Sequence, residues 1–240
     1  PVGNNSTHKG RGFTGRSNPT GDAFDIDYVA HEMGHQFGGY HTQSSSGCYS
    51  GSGITEVEPG SGSTIMGYAG ICAPNVQNNS DAYFHYVNIR DITNNIKNGV
   101  SSNCAQITSF SNVAPVIVPA RDYVIPISTP FVLTGSASDA DGDILNYTWE
   151  QNDPEIYSQA NTSPPNQNET SGPLFRSIQG TVNPSRFFPT QSTITSGLTS
   201  SQWEVLPAVS RVMKFALTVR DNVAGGAQTA TDEMQVTVSN

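Results

Sequence analysis

The chain has no apolar run long enough to cross a membrane and no cluster of basic residues. Its 240 residues include 11 Lys and Arg against 20 Asp and Glu, a formal net charge of −9. A transmembrane helix needs about 20 mostly apolar residues, and partners such as nucleic acid or anionic lipid require a basic surface. The sequence therefore predicts neither a membrane span nor a nucleic-acid partner.

Cysteine is scarce, and its count of three is odd. An odd count leaves at least one cysteine without a disulfide partner within the chain. No secretory signal peptide is visible, and Pro1 resembles an internal position, so we expect residues to precede it in the natural protein. The abundance of Ser, Thr, Asn and Gly is typical of secreted, β-rich proteins, and we expect an extracellular location.

The most informative stretch runs from His31 to His41 and reads H-E-x-x-H-x-x-G-x-x-H. His31 and His35 are four residues apart, so on a helix they share one face and can bind a single Zn²⁺. Glu32 is placed to act as a general base beside the metal. Gly38 permits the left-handed turn that ends a helix. That turn brings His41 back as a third ligand and leaves the fourth coordination position open.

The motif predicts a helix over about 24–37. Val29, Met33 and Phe37 are spaced by four and lie roughly opposite the ligands, so we expect this stripe to be buried.

At these residues the chain resembles the metzincin zinc endopeptidases. A second signature supports the resemblance, because metzincins carry a methionine turn beneath the metal and Met66 lies in Ser63–Gly70, after the third histidine. The Gly- and Ser-rich spacing, with Cys48 and Cys72 around the turn, looks most like the reprolysin (adamalysin)-like branch in its bacterial secreted form.

The resemblance implies Zn²⁺ as cofactor, a protein or peptide as substrate, and Met66 as an apolar floor under the metal. Tyr68 stands where astacin-like and serralysin-like members place a tyrosine that ligates zinc or stabilises the oxyanion. Reprolysins generally lack that tyrosine. We therefore treat Tyr68 as a candidate catalytic residue, with a tyrosine buried in the turn as the alternative.

The cysteines and the start of the chain also bear on the resemblance. We expect a disulfide between Cys48 and Cys72, with pairing of Cys48 to Cys104 as the alternative; reprolysins link the region of Cys104 to the N-terminal half of the catalytic domain. Metzincins build an upper subdomain before the zinc helix, and its edge strand pairs with substrate. Because few residues precede His31, we expect a lower subdomain here. The upper half is then removed by cleavage, left out of this chain, or retained as a separate chain that acts as its partner.

The expected fold is multidomain α+β. The lower catalytic subdomain, mainly helices and loops, covers 1–108, a linker covers 109–114, and an all-β domain covers 115–240. Within the first domain a second helix is predicted over 81–97, with Ser80 as its N-cap. His85 in this helix is interpreted as a packing or surface residue.

Beyond the linker, apolar residues alternate with period two between frequent turn signals. The predicted strands include 116–118, 123–127, 131–135, 212–219 and 234–238, and the alternation around Trp149 adds another. Such a pattern is typical of an immunoglobulin-like sandwich. The segment Gly135–Asp143 resembles PKD-like and cadherin-like modules.

Acidic residues suggest a second kind of metal site in the β domain. Asp139, Asp141 and Asp143 share one short loop with the spacing that Ca²⁺ uses. Asp221 and Asp232 bracket a later loop, which lies at the same end of an immunoglobulin-like sandwich. An ordinary Asp/Gly turn is the alternative. A further metal site in the catalytic part, around Asp22, Asp25 or Glu58, is a second hypothesis.

The sequence is thus interpreted as a secreted zinc endopeptidase in which Glu32 is the base. One alternative is an adhesion or binding fragment that keeps the zinc site without cleaving. Another is a structural zinc module with four protein ligands, for which Cys48 is the nearest candidate for the fourth.

Overall fold

The computed structural model describes residues 12–45, 48, 54–103, 106–155 and 164–240. These residues form short helices and several β-sheets, consistent with the predicted α+β class. We refer to residues 12–103 as the N-terminal part and to 115–240 as the β part. None of the helices in the described residues has both the length and the apolar character that a membrane crossing requires.

The zinc motif lies on a continuous helical segment, here called the ligand helix (residues 22–36). It consists of α1 (Asp22–Phe24), a π-helical turn (Asp25–Ala30) and α2 (His31–Gln36). A π-turn pairs each amide with the fifth carbonyl before it; such turns are rare and frequently occur at functional sites. The helix lies close to the predicted span.

The burial predicted for the stripe opposite the ligands is wrong. Met33 is 53 % exposed and Phe37 is 37 % exposed, while Val29 is partly buried. Met33 and Phe37 line an apolar groove of about 320 Å³ between the ligand helix and the next helix. No further helix or strand of the described residues covers this groove. The spacing by four therefore identifies an apolar helix face that is exposed to solvent in this part of the chain.

The second helix, α3 (Tyr86–Asn98), starts five residues later than predicted. His85 is its N-cap, because its Nδ1 accepts a hydrogen bond from the amide of Val87 at 3.2 Å. A capping residue has extended backbone, so the residues before it cannot continue the helix. His85 is 1 % exposed and acts as a buried cap.

In the β part, the described residues form ten strands and one short helix. The strands are β1 (Val116–Ile117), β2 (Tyr123–Pro126), β3 (Phe131–Thr134), β4 (Ala137–Ser138), β5 (Asn146–Gln151), β6 (Ser185–Phe188), β7 (Ser200–Ser201), β8 (Glu204–Val205), β9 (Arg211–Arg220) and β10 (Thr229–Ser239); α4 (Gln191–Thr195) follows β6. The main sheet has the order β2-β10-β9-β5, with β2 parallel to β10. β3 pairs with β6, β1 with β4, and β7 with β8. Every strand predicted above lies on one of these.

The core of the β part lies between the main sheet and the β3–β6 pair. Its centre is a cluster of phenylalanine rings: Phe188 lies 5.0 Å from Phe131, 5.2 Å from Phe175 and 4.9 Å from Phe215, measured between centroids. Trp149 joins the same core. Strand alternation directs Phe131, Phe188 and Phe215 inward, whereas Phe175 enters the core from a segment outside the strands.

The two parts of the chain share a buried polar junction. The amide of Tyr86 donates to the Glu150 carboxylate at 2.8 Å, and the Ser63 hydroxyl donates to the carbonyl of Ser177 at 3.2 Å. The expected linker is also tied to the β part, since the amide of Val113 donates to Asp141 at 2.7 Å. The N-terminal part therefore rests directly on the β part.

Candidate metal centre

The three histidines of the motif converge on one point. Nε2 of His41 lies 3.2 Å from Nε2 of His31 and 3.0 Å from Nε2 of His35. Three nitrogens bound to a tetrahedral zinc at about 2.0–2.1 Å would be roughly 3.3 Å apart. The spacing of these three atoms therefore fits a shared zinc ion.

Backbone carbonyls hold the other nitrogen of two of these rings. Nδ1 of His31 donates to the carbonyl of Ile65 at 2.7 Å, and Nδ1 of His35 donates to that of Gly39 at 2.8 Å. A carbonyl can only accept, so each neutral ring carries its proton on Nδ1 and leaves the Nε2 lone pair for the metal. Such outer contacts fix the tautomer and orientation of metal-binding histidines.

Burial keeps the rings of His31 and His41 neutral. Desolvation is the largest cause that lowers the pKa of His31, and the neighbouring His35 adds to it. Desolvation, followed by His35 and His31, lowers the pKa of His41 to about 3. Because zinc binds the neutral imidazole, His31 and His41 are in the binding form at neutral pH.

A glycine turn and α3 set the position of His41. Gly38 has a φ of 99°, which only glycine adopts without strain, and the chain reverses there. From α3, Asn95 donates to the carbonyl of Phe37 at 2.7 Å and Asn88 donates to that of Tyr40 at 2.8 Å. The turn between the second and third ligands is thus fixed at both ends.

Met66 is fully buried and lies against the ligand helix at Gly34. A Cβ atom at Gly34 would collide with its sulfur, so this position of the ligand helix requires glycine. The sequence analysis did not single out Gly34. Its place between the two helical histidines is the signal from which it could have been found.

Glu58 connects the turn that contains Met66 (Ser63–Gly70, here called the Met66 turn) to the segment after His41. Its hydrogen bonds contradict the hypothesis of a second metal site at Glu58. Its carboxylate accepts hydrogen bonds from Thr42 Oγ1 at 2.7 Å, from the amide of Ser63 at 2.8 Å, and from both the amide and the hydroxyl of Thr64. These donors occupy both oxygens of a carboxylate that is 1 % exposed.

Glu32 and Tyr68 lie beside the three histidines. Glu32 directly follows the first ligand, and its charge acts on the His31 ring. The centroid of the Tyr68 ring is 4.4 Å from the ring centroid of His41 and 5.5 Å from that of His31. Tyr68 therefore packs against two of the histidine rings, and Glu32 adjoins the first ligand along the helix.

Cys48 is joined to Cys72, as predicted. A cysteine in a disulfide offers no thiolate, so Cys48 is not a fourth ligand and the structural zinc module loses its candidate. Cys104 lies outside the described residues.

The acidic candidates separate into two groups. Asp139, Asp143 and Asp221 each present a carboxylate oxygen within 4.8 Å of the others. Asp141 and Asp232 do not join them, because Asp141 accepts from the amide of Val113 and Asp232 accepts from that of Ala120, each at 2.7 Å. Three of the five predicted carboxylates therefore converge, and calcium binding by any of them stays a prediction.

The electrostatics within the acidic cluster are uneven. Desolvation, then the charges of Asp139 and Asp141, raise the pKa of Asp143. Burial opposes ionisation of Asp221 as well, but hydrogen bonds from the Gln228 amide and from Asn112 outweigh it and lower the pKa of that carboxyl. The hydrogen bonds that Asp221 accepts therefore favour its ionised form.

Comparison with known proteins now bears on the histidine centre. Residues 2–96 match metallo-peptidase family M12B, reprolysin-like. The matched segment contains all three histidines, Glu32 and Met66, so the reprolysin-like resemblance is confirmed there. No curated protein and no solved structure matches the chain. Residues 2–96 are thus similar to reprolysin-like metallopeptidases, and the three histidines within them are placed to share one metal ion.

Proposed function

We propose that the protein is a secreted zinc endopeptidase that hydrolyses peptide bonds in proteins or peptides. The observation that carries the proposal is the convergence of Nε2 atoms from His31, His35 and His41 at 3.0–3.2 Å, with two of the three tautomers fixed by carbonyls. The disulfide between Cys48 and Cys72 supports an oxidising, extracellular location.

Zinc held by these ligands supplies Lewis acidity toward the scissile carbonyl and lowers the pKa of water. Glu32 accepts a proton from the attacking water and returns it to the departing amine. Tyr68 donates a hydrogen bond to the carbonyl oxygen as negative charge develops there. Its ring is already packed on two of the ligands.

Cleavage of casein tests this proposal. Glu32→Gln should lower the rate by about 100-fold or more, because proton transfer contributes that much, while the zinc content stays at one equivalent. Tyr68→Phe should lower kcat by at least about 10-fold with zinc retained. Asp25→Asn, which changes an exposed acid on the same helix, serves as the matched control.

Equal cleavage by the wild-type chain and by Glu32→Gln would reject the glutamate as base. A zinc-loaded wild-type chain that cleaves nothing would favour the alternative, a binding or adhesion fragment that retains a metzincin zinc site.

We also propose that the exposed stripe of Met33 and Phe37 packs against an upper catalytic subdomain, the partner that the resemblance implies. The groove beside it is lined almost entirely by apolar side chains. An exposed apolar groove of this kind marks an interaction site. The β part, in the same proposal, is an immunoglobulin-like module of the PKD or cadherin type.

Calcium is the second metal that we propose, held by Asp139, Asp143 and Asp221. One oxygen of Asp139 and one of Asp143 are buried and accept no hydrogen bond from the described residues. Buried carboxylate oxygens are costly unless a cation or a donor satisfies them. Asp143→Asn should abolish the rise in melting temperature that calcium produces, and Asp232→Asn should not. No rise in the wild-type chain would refute the site.

A further inference from the structure

We infer that Glu150, on strand β5, is a positioning residue of the metal centre. Through it, the β part helps to orient the metal ligands. The inference rests on the proposed zinc site. Glu150 touches neither the ligands nor a substrate. It acts through two elements of the N-terminal part, the Met66 turn and α3.

The first route runs through the Met66 turn. Oε1 of Glu150 accepts a hydrogen bond from the hydroxyl of Ser177 at 2.6 Å. The carbonyl of Ser177 in turn accepts from the hydroxyl of Ser63 at 3.2 Å. Ser63 begins the turn whose Ile65 carbonyl fixes the ring of His31. One ligand is therefore oriented by a carbonyl that the β part helps to hold.

The second route runs through α3. Oε2 of Glu150 accepts from the amide of Tyr86 at 2.8 Å, which is one of the free donors at the start of this helix. Negative charge at a helix N-terminus is stabilising. Asn88 and Asn95 lie about two turns apart on α3. Their side-chain amides donate to carbonyls on either side of the Gly38 turn and hold it in place. The position of His41 follows from that turn.

The burial of Glu150 makes this arrangement sensitive to substitution. The residue is fully buried, and so is His85, whose Nε2 lies 3.6 Å from the carboxylate. Replacing a buried carboxylate leaves its former donors without hydrogen bonds. This lowers the free energy of unfolding by more than the same replacement at the surface does. The same junction is closed by Trp203, which packs so tightly on Gly60 that a Cβ there would approach its ring to 2.8 Å.

Cobalt replacing zinc in the 240-residue chain tests the inference without requiring cleavage. The visible spectrum of bound Co²⁺ reports the coordination geometry, and competition with a chelator reports affinity. Glu150→Ala should weaken metal binding by about 10-fold or more, as loss of supporting contacts does, and should alter the spectrum. Glu150→Gln keeps one oxygen acceptor and should give a smaller effect.

Glu204→Gln is the matched control. Glu204 is equally buried, but its partners, Arg186 and the amide of Thr190, both belong to the β part. We expect it to lower the melting temperature while leaving the cobalt spectrum and affinity unchanged. If Glu150→Ala does not fold, Glu150→Gln and Ser177→Ala carry the same test.

Folded Glu150 variants with the wild-type spectrum and affinity would overturn the inference. An equal change in Glu204→Gln would also overturn it, since the effect would then reflect stability alone. A wild-type chain that gives no cobalt spectrum would instead refute the metal centre itself, so the two failures are distinguishable.

Discussion

The N-terminal part and the β part are stabilised in different ways. Among the described residues, most buried side chains around the metal centre are polar and hydrogen-bonded, as Glu58, Thr42 and Thr64 show. Buried side chains of the β part are mostly apolar and meet in the phenylalanine cluster around Phe188.

The difference reflects what each part has to do. Apolar burial is non-directional and grows with area, so it stabilises a scaffold without specifying angles. Hydrogen bonds have directions, and the rings of a metal site need orientation more than bulk stability. The N-terminal part therefore gains orientation from polar contacts and gains stability from a disulfide and from the junction with the β part.

The largest effect should come from Phe215→Ala in the apolar core. The side chain is fully buried, and such a truncation costs about 3–5 kcal/mol of unfolding free energy. Val212→Ala, on the exposed face of the same strand, should cost much less. Urea unfolding measures both. Similar losses at the two positions would contradict the assignment of stability to apolar burial.

Glu58→Ala should have the next largest effect, about 3 kcal/mol, because it leaves several buried donors unpaired. Zinc affinity should fall with stability, since the Met66 turn is released. Urea unfolding and metal titration measure the two effects. Asp25→Ala, which removes an exposed acid, is the control. A stable variant with normal zinc affinity would show that polar contacts do not organise this part.

Removing the disulfide should cost about 2–3 kcal/mol. The bond links residues 24 apart in sequence and ties the segment after His41 to the segment after the Met66 turn. We expect the double variant Cys48→Ser/Cys72→Ser to unfold at lower urea concentration, and reduced wild-type protein to match it. If the double variant unfolds at the wild-type urea concentration, the disulfide adds nothing to the contacts around it.

The smallest effect concerns acid. The pKa values of His31 and His41 are lower in the folded chain than their ordinary value of 6.5. Below about pH 6.5, in the absence of metal, the unfolded chain therefore binds more protons than the folded chain does. The free energy of unfolding should consequently fall as the pH decreases. After allowing for screening at the partly exposed His41, the slope should be roughly 1 kcal/mol per pH unit between pH 6.5 and 5.

Metal-free His31→Gln/His41→Gln protein should show a flatter pH dependence over the same range. An identical slope in this variant and in the wild type would place the acid sensitivity outside the histidine centre.

The local features of the fold were predictable from sequence. Four-residue spacing put His31 and His35 on one helical face, and period-two alternation located the strands around Trp149 and Phe215. The start of α3 was predicted wrongly, because an apolar pattern does not reveal that the side chain of His85 folds back as a cap. Met33 and Phe37 were expected to be buried, because periodicity identifies an apolar face without showing what covers it.

The features that were missed depend on contacts between distant residues. Tyr86 meets Glu150 across 64 residues, and Ser63 meets Ser177 across 114. No spacing rule connects such pairs. The acidic cluster shows the same limit, since the sequence offered five carboxylates and only the folded chain separates Asp232, occupied by the amide of Ala120, from the three that converge.

The π-helical turn at Asp25–Ala30 has a consequence for the evolution of this helix. A wide turn is what a helix forms when it accommodates one inserted residue, and each residue advances the helix by roughly 100°. A deletion within the turn would leave the ligands in place and rotate Asp22 and Phe24 to another side of the axis. The residues that precede the ligands can therefore change their orientation independently of the metal site.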